Sequence, residues 1–307
     1  MGDKDRERAM EVLSKAEIDR YHEIGGIVVE GRLDAATLRG VHAEIDRFMD
    51  EARGMEASNA RIDLEDSHRP DDPRIRRIKL PHTLSDVFER IMYSDAILAP
   101  VRDLIGPDLR LHTTKLNMKS AGFGAAVEWH QDFAFYPHTN DDVLAVGIMI
   151  DDMAAENGPL MIFPGTHHGP ILDHHVDGVF AGAIDLAAAG LDPENALQLT
   201  GPAGSISIHH GRVVHGSAMN VSDRDRRIMF VEAMAADAFP VMGSMTSFGS
   251  LEEYNARMLC GAPTITPRLA DVPVRIPLPQ PENRGSIYEI QKGLKARGFS
   301  IYDDVEP

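Results

Sequence analysis

The chain has 307 residues, of which 43% are hydrophobic and 26% charged, the composition of an ordinary globular protein with ample material for a core. Its formal net charge of -17 argues against nucleic acid and against an anionic membrane surface as partners. Cys260 is the single cysteine, which excludes an internal disulfide; no apolar run approaches the roughly 18 residues of a membrane span, and the N-terminus carries no apolar signal core. By elimination the expected compartment is cytoplasmic.

Residues 1–12 are charged and read as frayed or helical. Ser14 followed by Glu17 is a capping-box pattern, and it predicts a helix through Tyr21, His22 and Glu23 that stops at Gly25-Gly26. Ile27-Val28-Val29 is a short apolar strand. Leu33-Asp34 opens a second helix, with Leu38, Val41, Ile45 and Phe48 at helical spacing. Residues 52–75 are polar and without period, and read as a long loop of the kind that covers a site. Arg76-Arg77-Ile78-Lys79 follows, either a solvated basic edge or a patch that meets an anionic substrate group. Residues 84–104 are mostly helical and end near Gly106-Pro107.

From Leu109 the texture changes. Residues 109–118 alternate as a strand does, Gly122 and Gly124 turn the chain, and 127–133 form the next strand. Residues 144–150 make an apolar strand of the type buried on both faces. Asn157-Gly158 is a turn signal, and Leu160 to Phe163 follow it as a strand closed by Pro164-Gly165-Thr166-His167. Residues 167–198 are irregular apart from an Ala-rich helical piece near 184–189. Strands return at 205–209, 213–215 and 227–233. The pattern predicts a mainly β fold with flanking helices, a barrel or jelly roll, in one domain spanning 1–307. Its parts are a helical stretch (1–108), a β core (109–236) and a Pro- and Met-rich C-terminal wrap (237–307) with a helical piece over 285–297.

His130 and Asp132 stand at i and i+2. In an extended strand they share a face, with Gln131 turned away. One imidazole and one carboxylate supply two of the three groups of the facial triad that holds iron(II) in oxygenases. Alone, the pair reads as polar residues of a strand, because a His-x-Asp arises readily among 14 histidines. It occurs again at His175-Val176-Asp177, in a loop flanked by glycine and proline that would not fix both side chains on one face. His42-Ala43-Glu44 lies in a helical pattern, where i and i+2 diverge.

Downstream, His209, His210 and His215 compete as a third ligand. His215 follows an apolar strand and precedes Gly216, where backbone can approach closely. Asn220 to Asp223 is a turn, and the chain then returns as a strand carrying Arg226, a hairpin that would bring Arg226 near His215. An arginine fork suits a carboxylate; read alone, Arg226 is a surface strand residue beside Arg224 and Arg227.

Three blocks carry a resemblance. They are Trp129-His130-Gln131-Asp132, then Glu156-Asn157-Gly158-Pro159-Leu160 with Phe163-Pro164-Gly165-Thr166-His167, then His215-Gly216-Ser217 with Asn220, Ser222 and Arg226. In this order they resemble the phytanoyl-CoA dioxygenase family of Fe(II)- and 2-oxoglutarate-dependent oxygenases, over roughly residues 14–235. The resemblance implies a double-stranded β-helix (jelly roll, cupin-like) and iron on His130, Asp132 and His215. It implies Arg226 on the far carboxylate of 2-oxoglutarate, Ser217 as a hydroxyl donor to the same group, and Asn117 and Thr113 as cosubstrate contacts on the preceding strand. The spacing to Ser217 and Arg226 selects His215 over its neighbours. Asp132 disfavours halogenation, since halogenating members carry Ala or Gly there.

The implied cofactors are Fe(II), 2-oxoglutarate and O2. The implied reaction is hydroxylation of an unactivated C–H bond of a small-molecule substrate, with release of CO2 and succinate. Desaturation, ring formation or endoperoxidation by the same oxidant is one alternative, and a non-catalytic metal-binding β-barrel is another. Substrate contacts are expected from 60–80, 133–142 and 167–182. Phe133, Phe135 and Tyr136 read as pocket lining or as ordinary core aromatics. Association into a homo-oligomer is left open.

Overall fold

A computed structural model describes residues 12–242, 249–282, 286–292, 294 and 297–299. The charged opening residues 1–11 and parts of the expected helical piece at 285–297 lie outside the described residues.

The N-terminal helices form where their caps place them. The Ser14 hydroxyl accepts from the Glu17 N–H and the Glu17 carboxylate accepts from the Ser14 N–H at 2.7 Å, starting α1 (Lys15–Ile24), which ends on Gly25 at φ 84°. Asp34 caps α2 (Ala35–Ala52), and Val41, Ile45 and Phe48 point inward as their spacing predicts. The 84–104 stretch is two helices, α3 (Asp86–Met92) and α4 (Asp95–Ile105). The three later helices share one buried cluster with Leu116, Met118, Ile148, Ile208, Met229 and Val231, so they cover one face of the sheet those residues belong to.

The strands are β1 (Gly26–Val29), β2 (Ile62–Leu64), β3 (Ile75–Lys79), β4 (Leu109–Lys119), β5 (Val127–His130), β6 (Val143–Met149) and β7 (Leu160–Ile162). They continue with β8 (His175–Val176), β9 (Val179–Phe180), β10 (Leu197–Leu199), β11 (Ile206–His210), β12 (His215–Ser217), β13 (Arg226–Ala235) and β14 (Met258–Cys260). The large sheet runs β1-β11-β6-β13-β4-β3-β2, with β14 also on β4, and the small sheet runs β10-β7-β12-β5. Every pairing is antiparallel. From β4 to β7 and from β10 to β13 the chain alternates sheets, and consecutive strands hold matching positions in the two orders. That alternation is the double-stranded β-helix, the jelly roll expected from the sequence.

Three expectations need correction. The 52–75 stretch is not all loop, because Ile62 and Leu64 bury their side chains in β2 against β3. The 167–198 stretch contains the β8–β9 hairpin and the sheet strand β10. The basic run at 76–79 is no solvated edge: it is β3, and its charges are paired. Arg76 Nε lies 2.9 Å from Glu65 Oε2 with both side chains buried, while Arg77 and Lys79 share Asp63 at 2.7 and 2.6 Å.

Removing one member of a buried ion pair strands the other. Arg76→Met should therefore cost about 3–5 kcal/mol, and adding Glu65→Gln should recover most of the loss. Urea unfolding of both variants checks this; equal loss in the two would contradict it.

Candidate active site

β5 ends where β12 begins, and the register sets His130 directly opposite His215. After His130 the strand does not continue to Phe133 as its sequence suggested. Asp132 instead opens a 3-10 turn, Asp132–Ala134. The turn still brings the carboxylate back, with Asp132 Oδ1 3.6 Å from His130 Nε2 and 3.8 Å from His215 Nε2. Gln131 faces away, as expected. Its amide donates to the Arg212 and Pro170 carbonyls at 2.7 and 3.2 Å, and its Oε1 accepts from Leu172 N at 2.8 Å. That side chain ties the 167–182 segment to the turn.

Hydrogen bonding settles the imidazole tautomers. His130 Nδ1 lies 2.7 Å from the Glu128 carbonyl and His215 Nδ1 lies 3.0 Å from the Val213 carbonyl. A carbonyl only accepts, so each Nδ1 carries the proton and each Nε2 offers a lone pair toward Asp132. Burial, with His130 and His209 alongside, keeps the His215 pKa well below its ordinary value. Burial alone would raise the Asp132 carboxyl, but His215, His130, His209 and Lys115 outweigh it and hold the group well below the usual carboxylate range. Two imidazoles with Nε2 turned inward and a carboxylate result, all buried, with one ligand atom from each within 4.8 Å of the others. This donor set fits a divalent transition metal with positions left open.

The rival residues go elsewhere. His175 contacts Asp173 at 2.9 Å, and Asp177 sits at φ 52° in the β8–β9 turn. His210 packs against His167 and lies 3.8 Å from Asp141. His209 does face the site, with Nε2 3.4 Å from Asp132 Oδ2, although it lies outside the three-residue cluster.

A cavity runs from the His/Asp cluster between the sheets. Arg226, at the start of β13, pairs in register with Lys119 at the end of β4. The Arg226 side chain is buried, donates from Nε to the Gly158 carbonyl at 3.1 Å and from Nη2 to the same oxygen. Among the described residues it has no carboxylate in ion-pair contact. Burial lowers its pKa to about 10, so it stays charged at neutral pH. Lys119 Nζ donates to Ser217 Oγ at 2.9 Å, to the Ser217 carbonyl at 3.2 Å and to the Ala218 carbonyl. Burial and then the Arg226 charge push the Lys119 pKa well down. Asn117 lines the same cavity, and its Oδ1 is buried without a hydrogen-bond partner. Thr113 shares that face of β4 two residues beyond Lys115 and does not line the cavity.

Two glycines are needed here. Gly158 has φ 70°, and a Cβ would overlap the Ala218 carbonyl oxygen. A Cβ on Gly216 would stand 3.0 Å from the Val127 carbonyl, the close approach anticipated from its place after His215.

Two further expectations change. His215 and Arg226 are not joined by a hairpin: β12 belongs to the small sheet and β13 to the large one, so the link crosses between sheets. The C-terminal segment does more than wrap the outside. Helix α5 (Leu186–Ala189), which precedes this segment, and α6 (Leu251–Asn255) within it do not line the cavity, but α7 (Ile287–Gln291) contributes Ile287 and Tyr288 to its wall. Gln291 accepts from the Glu128 N–H at 3.0 Å, and Phe299 stacks on Trp129 with centroids 4.9 Å apart. Of the aromatics after Asp132, Phe133 joins the core. Phe135 meets His130 edge-on at 5.7 Å, and Tyr136 stacks on His112 at 4.1 Å.

Sequence reasoning missed Lys115, Lys119 and Tyr288, and weighed His209 only as a rival metal ligand. Alternation along β4 would have found the lysines, which share the face of Asn117. Nothing in the sequence marks Tyr288. Lys119→Met should strand the Ser217 and Ala218 carbonyls inside the protein and cost about 1–3 kcal/mol. Thermal and urea unfolding measure that loss; an unchanged midpoint would rule out the role.

Comparison with known proteins agrees with this geometry. The pattern of the family described as "Phytanoyl-CoA dioxygenase (PhyH)" matches residues 21–228. A protein of Stutzerimonas stutzeri named as a probable alpha-ketoglutarate-dependent hypophosphite dioxygenase is 34% identical over 283 residues, covering 91% of this chain and 97% of its own length. The ectoine dioxygenase of Stutzerimonas stutzeri strain A1501 is 25% identical, covering 69% of this chain and 74% of its own. Among solved structures, EctD from S. alaskensis with 2-oxoglutarate and 5-hydroxyectoine superposes with a TM-score of 0.61 at 21% identity, covering 74% of this chain and 77% of that one. The carbocyclase SnoK from nogalamycin biosynthesis has a TM-score of 0.61 at 21% identity, covering 77% of this chain and 90% of that one. These two share the fold. With two thirds of its length matched and a relative aligned nearly end to end, the chain belongs to the phytanoyl-CoA dioxygenase family.

Proposed function

We propose that His130, Asp132 and His215 hold Fe(II), and that Arg226, Ser217 and Asn117 hold 2-oxoglutarate, with residues 1–307 working as one catalytic unit. The enzyme is a 2-oxoglutarate-dependent dioxygenase that oxidises a small molecule. The carrying observation is Arg226: a buried guanidinium without a carboxylate partner among the described residues, in the cavity that the two imidazoles and Asp132 also line. A protein that only stored metal would have no use for it.

When bound, iron and 2-oxoglutarate supply the oxidant: O2 is reduced, 2-oxoglutarate leaves as succinate and CO2, and one oxygen atom enters the substrate. The chain's own residues supply position and dryness. The Glu128 and Val213 carbonyls fix the two rings so that both Nε2 atoms point inward. The Arg226 fork receives the distal carboxylate, and Lys119 holds the Ser217 hydroxyl next to it. Val127, Leu160 and Ile228 wall the cavity between these ends and keep water from the reacting atoms. Hydroxylation is the reading favoured here. The fold shared with a carbocyclase keeps ring formation as the second.

No helix among the described residues is long and apolar enough to cross a membrane. A cytoplasmic site of action rests on that and on the lone Cys260.

Adding Fe(II) and 2-oxoglutarate without oxygen should produce a weak visible metal-to-ligand charge-transfer band, and admitting O2 should release succinate. His130→Ala should abolish both. Arg226→Gln should raise the KM for 2-oxoglutarate by about 30- to 700-fold, the loss of one charged partner worth about 2–4 kcal/mol. Succinate formation undiminished in His130→Ala would refute the assignment.

A further inference from the structure

The cavity has a second pole, away from Arg226, that neither metal nor cosubstrate accounts for. On the inner face of the large sheet, Phe230 stands opposite Lys115, and one row further Ala145 stands between His209 and Glu232. Lys115 and His209 both line the cavity. Lys115 Nζ lies 2.6 Å from Glu232 Oε1, and the Glu232 side chain is 2% exposed. His209 is buried, with Nε2 3.4 Å from Asp132 Oδ2 and Nδ1 without a hydrogen-bond partner. Arg257 donates to the His112 carbonyl at the same end, and Tyr136 stacks on the His112 ring.

These residues are costly where they are. Glu232 is buried while the Lys115 side chain remains 27% exposed where it lines the cavity, so desolvating the carboxylate is only partly offset, and the unpartnered His209 Nδ1 forfeits a hydrogen bond with water. Lys115 has three N–H donors, of which Glu232 engages one side, and His209 has one more. Donors left facing a cavity next to a metal position mark where a ligand supplies the acceptors. Glu232 holds the ammonium in place from behind. Phe230 and Ala145 form an apolar floor, and the cavity is shared with the cosubstrate, which limits what remains for a second molecule.

We propose that this pole is the substrate subsite and that it takes a small molecule with an oxyanion head, a carboxylate, phosphonate or phosphinate, gripped by Lys115 and His209. Glu232 is a positioning residue that acts through Lys115. The inference rests on the iron and 2-oxoglutarate reading above, because it is the His/Asp cluster that divides the cavity into two ends.

The test uses the full chain loaded with Fe(II) and 2-oxoglutarate. Succinate release is followed with hypophosphite, short alkylphosphonates and short carboxylates, each organic anion run beside a neutral amide or alcohol of matched size. At least one anionic series should raise succinate release about tenfold or more over the rate without substrate, and the neutral partners should not. The double variant Lys115→Met/Glu232→Gln removes both charges and leaves no lone buried carboxylate. It should raise the KM for the active anion roughly 30-fold or more while leaving the KM for 2-oxoglutarate within about twofold. Neutral molecules that serve as well as anions, or no response to any anion, would overturn the subsite. So would a variant whose only change is in the KM for 2-oxoglutarate, since Lys115 would then belong to the cosubstrate. The visible band separates the two levels: its absence from the wild-type protein sinks the iron reading and this one together, whereas a normal band with no anion response sinks this one alone.

Discussion

The backbone register between β5 and β12 is the constraint on which the site depends. It sets His130 across from His215, two residues 85 positions apart in the chain. Neither imidazole is placed by its own rotamer alone. Each ring is held through Nδ1 by a carbonyl two residues earlier in its own segment, so the strand that carries the ring also orients it. A slip of one residue in either strand would turn its imidazole to the other face. The dense packing of Trp129 between Phe163 and Phe299 behind β5 opposes that slip.

Around this register the two sheets divide the labour. The small sheet presents the imidazoles. The large sheet presents a column of charges, with Lys115, Asn117 and Lys119 on β4 and Arg226 and Glu232 on β13. Because β13 lies between β4 and β6 in the sheet, Glu232 has strand neighbours on both flanks, Thr113 and Ala145. The helical layer packs its apolar side chains against the far face of the same sheet.

Much of this was legible in the sequence. The caps of α1 and α2, the alternation of β4 and the unbroken apolar run of β6 each express a local rule, and each element formed where its residues put it. The three blocks around His130, Asn157 and His215 were legible because a metal site and its supporting turns need particular residues at particular intervals. What was not legible depended on distant partners. Arg76 looks like a surface residue until Glu65 is found beneath it. The 127–133 run looks like continuous strand until the turn at Asp132 is seen, because Phe133 and Ala134 suit a buried 3-10 turn as well as a strand. His209 could not be told from His210, since adjacent strand residues differ only in which face the fold buries. Tyr288 reaches the cavity through a helix that no local signal ties to β5.

The crossing from β12 to β13 has a consequence for how the protein can change over time. Asn220 braces that crossing, donating to the Lys119 and Arg224 carbonyls at 3.0 and 2.7 Å. The connection therefore ties the small-sheet strand that carries His215 to the start of the large-sheet strand that carries Arg226, the two residues proposed to hold metal and cosubstrate. An insertion or deletion within 218–225 would pull Asn220 off the Lys119 and Arg224 carbonyls and so disturb the ends of strands in both sheets at once.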